Sequence, residues 1–499
     1  MQVNIENAEQ RKKYFSALER AVQNKQLYAA KYLDFGVKVV RVLCYTPEII
    51  IFLKQHLSFV LRDNADHFDE TIVFWKEENI QGLIYKLDDR FNPKINLRLR
   101  VDALIFGRQF QDVVIMDKAF SNHIPLIKLS SVEHLVEAYD TDKHCCYYAV
   151  DNLDQEEFIK RGHLFVQQLN VLLKSDTVNL THGAVFGYNG QGVLLCARGQ
   201  RGKSTLTVHS MVNGCEYVSD DYQLLEKRKE GLYAYPLYSI ITLSPEMYEK
   251  MGSAFKGEFC SKNARKDKGV FNIDAYHNQF KIRYPIKLCL FPEIVSDECP
   301  TIVPCTSFEK GRAIVQFIHS TVLQMRDLNN HQTIAKLLNM IKELPFYKFN
   351  LSPKISENTE YLYQFLKTAL SKVPNQDKLP PLLLDITFDL ANILDTQTYI
   401  FYSMNEFSTN IYQMLLSGVS VEQIEQALSA VAHNTAIIDD FKAFVQALNA
   451  ERLLYVPVED YFKMKDLKID FAQKCDYKLS LLKFNTDSTC DLIQVLKGK

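Results

Sequence analysis

Two neighbouring segments carry residue types that suit the binding and transfer of a phosphate group. The first, residues 192–205, is an apolar run followed by a glycine-containing loop that ends in Gly202-Lys-Ser-Thr. The second, residues 215–221, is an apolar run that ends in Ser219-Asp-Asp. Lysine, hydroxyl and carboxylate groups hold nucleotide phosphates and Mg²⁺ in proteins. Residues 192–221 therefore predict a nucleotide site.

The loop of the first segment follows a predicted buried strand, Val193–Cys196. Gly199 and Gly202 allow sharp turns that point backbone N–H groups at a polyphosphate, and a helix that opens at Lys203 adds its positive end. Arg201 either meets the γ-phosphate or faces solvent. The predicted nucleotide contacts are Gly199, Gln200, Arg201, Gly202, Lys203, Ser204 and Thr205.

The loop departs from the usual pattern G-x-x-x-x-G-K-[ST] at one position, where Ala197 replaces the first glycine. The alternative interpretation is therefore a loop that is retained for folding and no longer grips a nucleotide.

The second segment predicts a short strand, Glu216–Val218, that delivers Asp220 and Asp221 opposite the hydroxyl of Ser204. Neighbouring residues of an extended strand point to opposite faces, so both aspartates face one cation only if the strand has already ended. A structural role for one aspartate, capping the following turn, stays open.

Composition limits the partners and the compartment. The chain has 499 residues, which predicts two to four domains, and 58 basic against 60 acidic residues give a net charge of −2. No global basic field favours nucleic acid or anionic lipid. The 11 cysteines form no C-x-x-C motif, and the most apolar stretch, Pro47–Leu53, is too short to span a bilayer. We expect a cytoplasmic protein with reduced thiols and no membrane partner.

Periodicity predicts the elements around the site. Asn189-Gly190 predicts a hairpin turn before the phosphate loop, and the segment Lys256–Lys268 is predicted to be a basic loop that lies either against phosphates or in solvent. The other predicted strands and helices before the linker are Val37–Val42, Thr71–Trp75, Ile95–Val101, residues 155–173, Leu224–Leu243, Tyr284–Phe291, Thr301–Val303, Gly311–Leu323 and Gln332–Leu344.

A proline-rich linker at residues 373–382 predicts a domain boundary, since Pro374, Pro380 and Pro381 cannot continue a helix or a central strand. Beyond it, Ser420 and Gln423 form a capping-box pattern. The predicted elements of this part are a strand, Thr398–Tyr402, and three helices, Glu406–Leu416, Val421–Val431 and Ile437–Leu448.

The order of Thr181-His-Gly, a hairpin, the loop ending Gly202-Lys-Ser-Thr, and Tyr217-Val-Ser-Asp-Asp resembles the HPr kinase/phosphorylase family over about residues 180–350. The resemblance implies a phosphoenolpyruvate-carboxykinase-like ATP domain. The family loop has glycine at the positions of Ala197 and Gln200 and serine where Gly199 stands.

The same resemblance implies the roles of the site residues. His182, Lys203, Asp220 and Asp221 would face the transferred phosphate. Asp221 is the expected base for the substrate hydroxyl, and Asp220 with Ser204 is expected to hold Mg²⁺, although the two aspartates could exchange roles. ATP and Mg²⁺ are the expected cofactors.

The segment 383–458 resembles PqqD-type peptide-recognition domains, with a strand, Met404-Asn405, a helix, Gly418, and a last helix ending at Arg452-Leu-Leu. Such winged-helix-like domains accept a leader peptide as an added strand. The combination resembles kinases of ribosomal-peptide maturation, including lasso-peptide systems.

The predicted fold class is α/β (α+β), with a P-loop core of the HPr-kinase type, an N-terminal mixed domain and a C-terminal winged-helix-like module. The predicted divisions are 1–150, N-terminal domain; 151–372, ATP-binding domain; 373–382, linker; 383–460, peptide-binding domain; and 461–499, extension.

Three functions remain open at this point. The first is an ATP- and Mg²⁺-dependent kinase that phosphorylates a serine of a peptide or small protein held by the C-terminal module. The second is a non-catalytic nucleotide- or peptide-binding scaffold with a degenerate loop. The third is a kinase for a small-molecule hydroxyl.

Overall fold

The structure is a computed structural model of the chain. It describes residues 2–4, 8–80, 83, 113–116, 127–130, 135–153, 163–197, 201–263, 268–295, 299–325, 330–368, 379–386, 390–431 and 436–454. The predicted strand Ile95–Val101 lies outside these residues, as do Gly199 and Gln200 of the predicted loop.

The described residues form a mixed α/β structure with eleven α-helices and four sheets, which agrees with the predicted class at that level. The helices are α1 Ala8–Gln23, α2 Pro47–Leu57, α3 Val166–Leu173, α4 Lys203–Val212, α5 Pro245–Met251, α6 Ser307–Gln324, α7 His331–Ile341, α8 Ile355–Thr368, α9 Glu406–Leu416, α10 Val421–Val431 and α11 Ala436–Ala450.

The strands of the first half are β1 Gln2–Asn4, β2 Ala29–Asp34, β3 Val39–Cys44, β4 Leu61–Arg62, β5 Glu70–Lys76, β6 Val113–Met116, β7 Ile127–Ser130, β8 Leu135–Asp140, β9 Cys145–Val150, β10 Val178–His182, β11 Ala184–Tyr188 and β12 Gln191–Leu195. Those of the second half are β13 Glu216–Ser219, β14 Tyr222–Arg228, β15 Gly231–Pro236, β16 Ile240–Leu243, β17 Glu258–Asn263, β18 Lys268–Asn272, β19 Tyr284–Ile294, β20 Thr301–Pro304, β21 Phe346–Leu351, β22 Leu382–Ile386, β23 Ala391–Asp395 and β24 Phe401–Met404.

Packing divides the chain into two compact units. The first comprises residues 1–302, 323–327 and 349–373, and the second comprises 303–322, 328–348 and 374–499. The domain limits themselves stay a prediction.

The N-terminal sheet has the order β1-β6-β7-β8-β9-β5-β3-β2-β4. Its centre, β3, β5 and β9, is parallel, whereas β2 and β8 run antiparallel to their neighbours. Both strands predicted here from β-branched runs, Val37–Val42 and Thr71–Trp75, are present as β3 and β5. Strand β5 is buried over Glu70–Trp75, as expected of a strand covered on both faces.

The second sheet carries the predicted site, along the path β10-β14-β15-β19-β12-β11-β13. The predicted hairpin joins β11 to β12, and Asn189 and Gly190 both have positive φ, 50° and 76°, as a type I′ turn requires. Strand β12 lies between β11 and β19, so the strand that leads into the phosphate loop is interior to the sheet.

A small antiparallel sheet, β16-β18-β17, packs beside the helix that follows the loop. Its apolar side chains share one buried cluster with Val208 and Met211 of α4 and with Tyr217 of β13. Residues Glu258–Asn263 form β17, so the prediction of a loop across Lys256–Lys268 was wrong there. The loop was predicted from the basic side chains, but a strand at the edge of a sheet carries polar residues as readily as a loop does.

The second unit contains a three-stranded antiparallel sheet, β22-β23-β24, and the helices α9–α11. The predicted helices Glu406–Leu416 and Val421–Val431 have those same limits, and Gly418 ends α9 with φ of 88°. The predicted capping box is present: the Ser420 amide donates to Gln423 Oε1 at 2.9 Å, and the Gln423 amide donates to Ser420 Oγ at 3.2 Å.

This capping box gives a stability prediction. We expect Ser420→Ala to lower the free energy of unfolding of the second unit by about 1 kcal/mol, because it leaves a helix N–H without its acceptor. Ser429→Ala is the matched control, since Ser429 lies exposed inside α10, where alanine favours the helix by a few tenths of a kcal/mol. Chemical denaturation followed by circular dichroism measures both, and equal midpoints for the two variants would contradict the prediction.

Among the described helices, none combines the length and the apolar character needed to cross a bilayer.

Candidate active site

The phosphate-loop region starts from the buried end of β12 and ends at the first turn of α4. Cys196 and Ala197 are both buried directly after the strand. Gly202 precedes α4 with φ of 83°, and a methyl group at this position would stand 2.8 Å from Leu351 Cδ1. Both the conformation and the close approach require glycine. The loop thus keeps the glycine that immediately precedes the lysine.

Ala197 stands where the phosphate-loop pattern has glycine, and its backbone conformation is one that alanine adopts without strain. Its φ is not among the positive values found in the described residues, so a glycine is not needed there for conformational reasons. The Ala197 methyl is buried and its carbonyl accepts a hydrogen bond from Lys203 Nζ at 2.5 Å. Ala197 is therefore part of the packed loop.

Lys203 and Ser204 open α4 at the predicted positions. The Lys203 side chain is 6 % exposed, while Arg201, Ser204 and Thr205 are partly exposed. Lys203 lies on the first turn of the helix, where unpaired backbone N–H groups and the helix dipole favour an anion. A lysine ammonium and a helix N-terminus thus meet at one place.

The two aspartates leave the sheet in a bend. Strand β13 ends at Ser219, and Asp221 has φ of 76°, a left-handed conformation that is uncommon for a residue other than glycine. The strand has therefore ended before both carboxylates, which meets the geometric condition set by the sequence. Strained backbone of this kind costs about 1–3 kcal/mol and is concentrated at functional sites.

The Asp220 carboxylate is buried and electrostatically exceptional. Its side chain is 3 % exposed, and among the described residues neither buried oxygen makes a hydrogen bond of regular geometry. Burial and the neighbouring Asp221 raise the pKa of Asp220 to about 7, while the Ser204 hydroxyl and the cations Lys268 and Lys203 act to lower it. The Ser204 hydroxyl and the charges of Lys268 and Lys203 thus act on Asp220, and the roles of these residues at a nucleotide site stay a prediction.

His182 lies at the end of β10, beside the same bend. Its cross-strand partner is Tyr222, whose ring contacts the imidazole edge-to-face at a centroid distance of 5.2 Å. The Gly183 amide donates to the Asp221 carbonyl at 2.9 Å. This bond holds His182 next to the aspartate bend.

Asp220 and Ser204 suit a hard divalent cation. A buried carboxylate whose oxygens lack donors is costly as an anion, and an oxygen-ligated cation such as Mg²⁺ compensates it. Within the described parts of the chain no cluster of three or more His, Cys, Asp or Glu side chains could ligate a metal. A Mg²⁺ at Asp220 and Ser204 would thus rely on water and phosphate oxygens for its other ligands, which is common for this ion.

Lys268 is a site residue that the sequence did not single out. It begins β18, in the sheet that packs against α4, and its charge acts on Asp220 more strongly than that of Lys203. The basic segment 256–268 was the available signal, but nothing in it separated Lys268 from its neighbours. Side chains of Lys262, Arg265 and Lys266 lie outside the described residues.

Comparisons with known proteins give little. No family model and no curated protein matches the chain. Among solved structures, the HPr(Ser) kinase/phosphatase from Coxiella burnetii is similar over 38% of this chain and 99% of that chain, at 12% identity and a TM-score of 0.22. A TM-score this low does not establish a shared fold.

Proposed function

We propose that this chain is an ATP- and Mg²⁺-dependent kinase that transfers the γ-phosphoryl group to a serine hydroxyl of a peptide or small protein. The observation that carries the proposal is Asp220: a buried carboxylate beside a helix N-terminus, on which the Ser204 hydroxyl and the charges of Lys268 and Lys203 act. Buried carboxylates with raised pKa values and specific charged partners are concentrated at functional sites.

The charge and the exposure of each site residue suggest its role in phosphoryl transfer. Lys203, Lys268 and the amides at the start of α4 offer positive charge to the phosphates. Asp220 and Ser204 hold Mg²⁺, which neutralises charge on the phosphate oxygens. Asp221 is partly exposed, unlike Asp220, and this supports its role as the base that takes the proton of the substrate hydroxyl. As the hydroxyl oxygen bonds to the γ-phosphorus, the bond from that phosphorus to the β–γ bridging oxygen breaks and ADP leaves. His182 assists at the same phosphate.

In this proposal, the second unit binds the peptide substrate. The order β22-β23-β24 leaves β22 and β24 as edge strands among the described residues, and an exposed sheet edge is what β-strand addition of a peptide requires. The C-terminal segment is also tied into its unit by a buried pair, Arg312 Nε and Asp385 Oδ1 at 3.6 Å. We therefore test the full chain, because truncation would remove Asp385 and the pair that it forms with Arg312.

Calorimetric titration of the full chain with ATP, with and without Mg²⁺, is the first test. We expect Mg²⁺-dependent binding in the micromolar range, since phosphate-loop sites gain most of their affinity from the phosphates and the cation. Absence of binding at millimolar Mg-ATP would overturn the kinase and favour the scaffold.

Transfer itself is measured with γ-labelled ATP and a library of serine-containing peptides, with alanine peptides as the matched control. Label on the serine peptides alone is the expected result. Tight Mg-ATP binding together with label on a small-molecule hydroxyl and on no peptide would replace the peptide substrate with the small-molecule alternative.

A further inference from the structure

The aspartate bend interrupts a long antiparallel strand pair of the second sheet. Strand β10 pairs with β14, and β11 pairs with β13 in the same register. Between these two pairings, the Gly183 amide donates to the carbonyl of Asp221 at 2.9 Å. Gly183 and the aspartate bend thus lie opposite each other, between the two paired stretches.

One side chain, Gln223 of β14, bonds across the strand pair to β10 and back across the aspartate bend to β13. Its Nε2 donates to Thr181 Oγ1 of β10 at 2.9 Å, and its Oε1 accepts from Ser219 Oγ of β13 at 2.9 Å. The Thr181 hydroxyl in turn donates to the Gln223 carbonyl at 3.2 Å. The single hydroxyl proton of Thr181 is donated to that backbone carbonyl, so the Thr181 oxygen can only accept from the side-chain amide. This fixes which end of the Gln223 carboxamide faces Thr181.

The linked residues stand immediately before the site residues in the chain. Thr181 precedes His182, and Ser219 precedes Asp220. Thr181 and Gln223 are fully buried and Ser219 is 1 % exposed, so none of the three can touch a substrate. A glutamine in the buried run Tyr222–Leu225 is also expensive unless both ends of its amide are satisfied, as they are here.

We infer that Gln223 is a positioning residue: its side chain clamps Ser219, before the aspartate bend, to Thr181 on the opposite strand, and so fixes Asp220 relative to His182. A carboxamide suits this task because it accepts from Ser219 and donates to Thr181 at the same time. The catalytic consequence of the clamp rests on the proposed kinase function, whereas the clamp itself does not.

The clamp is tested without any substrate, by hydrogen exchange on the full chain. Gln223→Met keeps the side-chain length and removes both bonds, so we expect about tenfold faster exchange at the Gly183 amide. Ser239→Ala is the matched control, since Ser239 is fully buried and accepts from the Ser58 amide at 3.0 Å in another part of the unit. Exchange at Gly183 that is unchanged in Gln223→Met, or equally faster in Ser239→Ala, would overturn the clamp.

The catalytic consequence is tested by steady-state transfer from γ-labelled ATP to the peptide found active with the wild type. We expect kcat to fall about 10- to 100-fold in Gln223→Met with KM for ATP within about twofold, because misplacement of reacting groups lowers the rate more than the binding. An unchanged kcat beside faster Gly183 exchange would overturn the positioning role.

Two further outcomes are distinguishable. If Gln223→Met does not fold, Thr181→Val removes one of the two links with little change of shape, and the same effects are expected at smaller size. If the wild type neither binds Mg-ATP nor transfers phosphate, the proposed function fails, while the exchange measurement still decides whether the clamp exists.

Discussion

Replacing Lys203 with methionine is expected to lower phosphoryl transfer at least about 100-fold and to weaken Mg-ATP binding. The substitution keeps the buried aliphatic stem and removes the charge, so the loss reports on electrostatics and not on a cavity. Lys203 begins α4 and its Nζ lies 2.5 Å from the carbonyl of Ala197, so the ammonium lies beside the residue at which the predicted phosphate loop begins. Transfer from γ-labelled ATP and calorimetry measure the two effects.

Lys256→Met is the matched control for this substitution. Lys256 is exposed and lines a separate cleft of about 400 Å³ between α2 and the β17–β18 strands. We expect its removal to change neither transfer nor affinity beyond about twofold. Full activity in Lys203→Met, with the control also unchanged, would show that the lysine does not meet the phosphates and would remove the mechanism.

Asp220→Asn is expected to abolish Mg²⁺-dependent transfer and, at the same time, to stabilise the Mg²⁺-free protein at alkaline pH. The pKa of Asp220 is raised to about 7 in the folded chain, against an ordinary value of 3.8. The folded state therefore holds a proton that the unfolded state has lost between about pH 4 and pH 7, and stability falls as the pH rises through that window. Above pH 7 the full cost of the buried charge is present.

Thermal unfolding at pH 5 and pH 8 checks this sign. We expect Asp220→Asn to be more stable than the wild type by on the order of 2 kcal/mol at pH 8 and by much less at pH 5. Added Mg²⁺ should close the gap at pH 8, because it stabilises the wild type alone. Asp176→Asn, at an exposed aspartate before β10, is the control and should show no such pH dependence. A wild type more stable than Asp220→Asn at pH 8 without Mg²⁺ would contradict the prediction.

The sequence predicted the hairpin before the loop and the helix starts correctly, because each depends on residues only a few positions apart in the chain. The hairpin at Asn189-Gly190 needs two residues that tolerate positive φ, and the capping box at Ser420 needs a hydroxyl and an amide three residues apart. The helix start at Lys203 was predicted for the same reason. The sequence failed where a local signal was ambiguous, as in the basic segment that forms β17.

The amino-acid sequence alone determined that a phosphate-type loop, its lysine and hydroxyl, and two carboxylates at a strand end lie within one short stretch of this chain. The tertiary structure decided which further groups join them. The charge of Lys268 acts on Asp220 because the sheet of β18 packs on α4, and Gln223 bonds to both Thr181 and Ser219 because β10 pairs with β14 beside the aspartate bend. Contacts of this kind depend on the burial of apolar faces distant in sequence, which no local spacing of residues encodes.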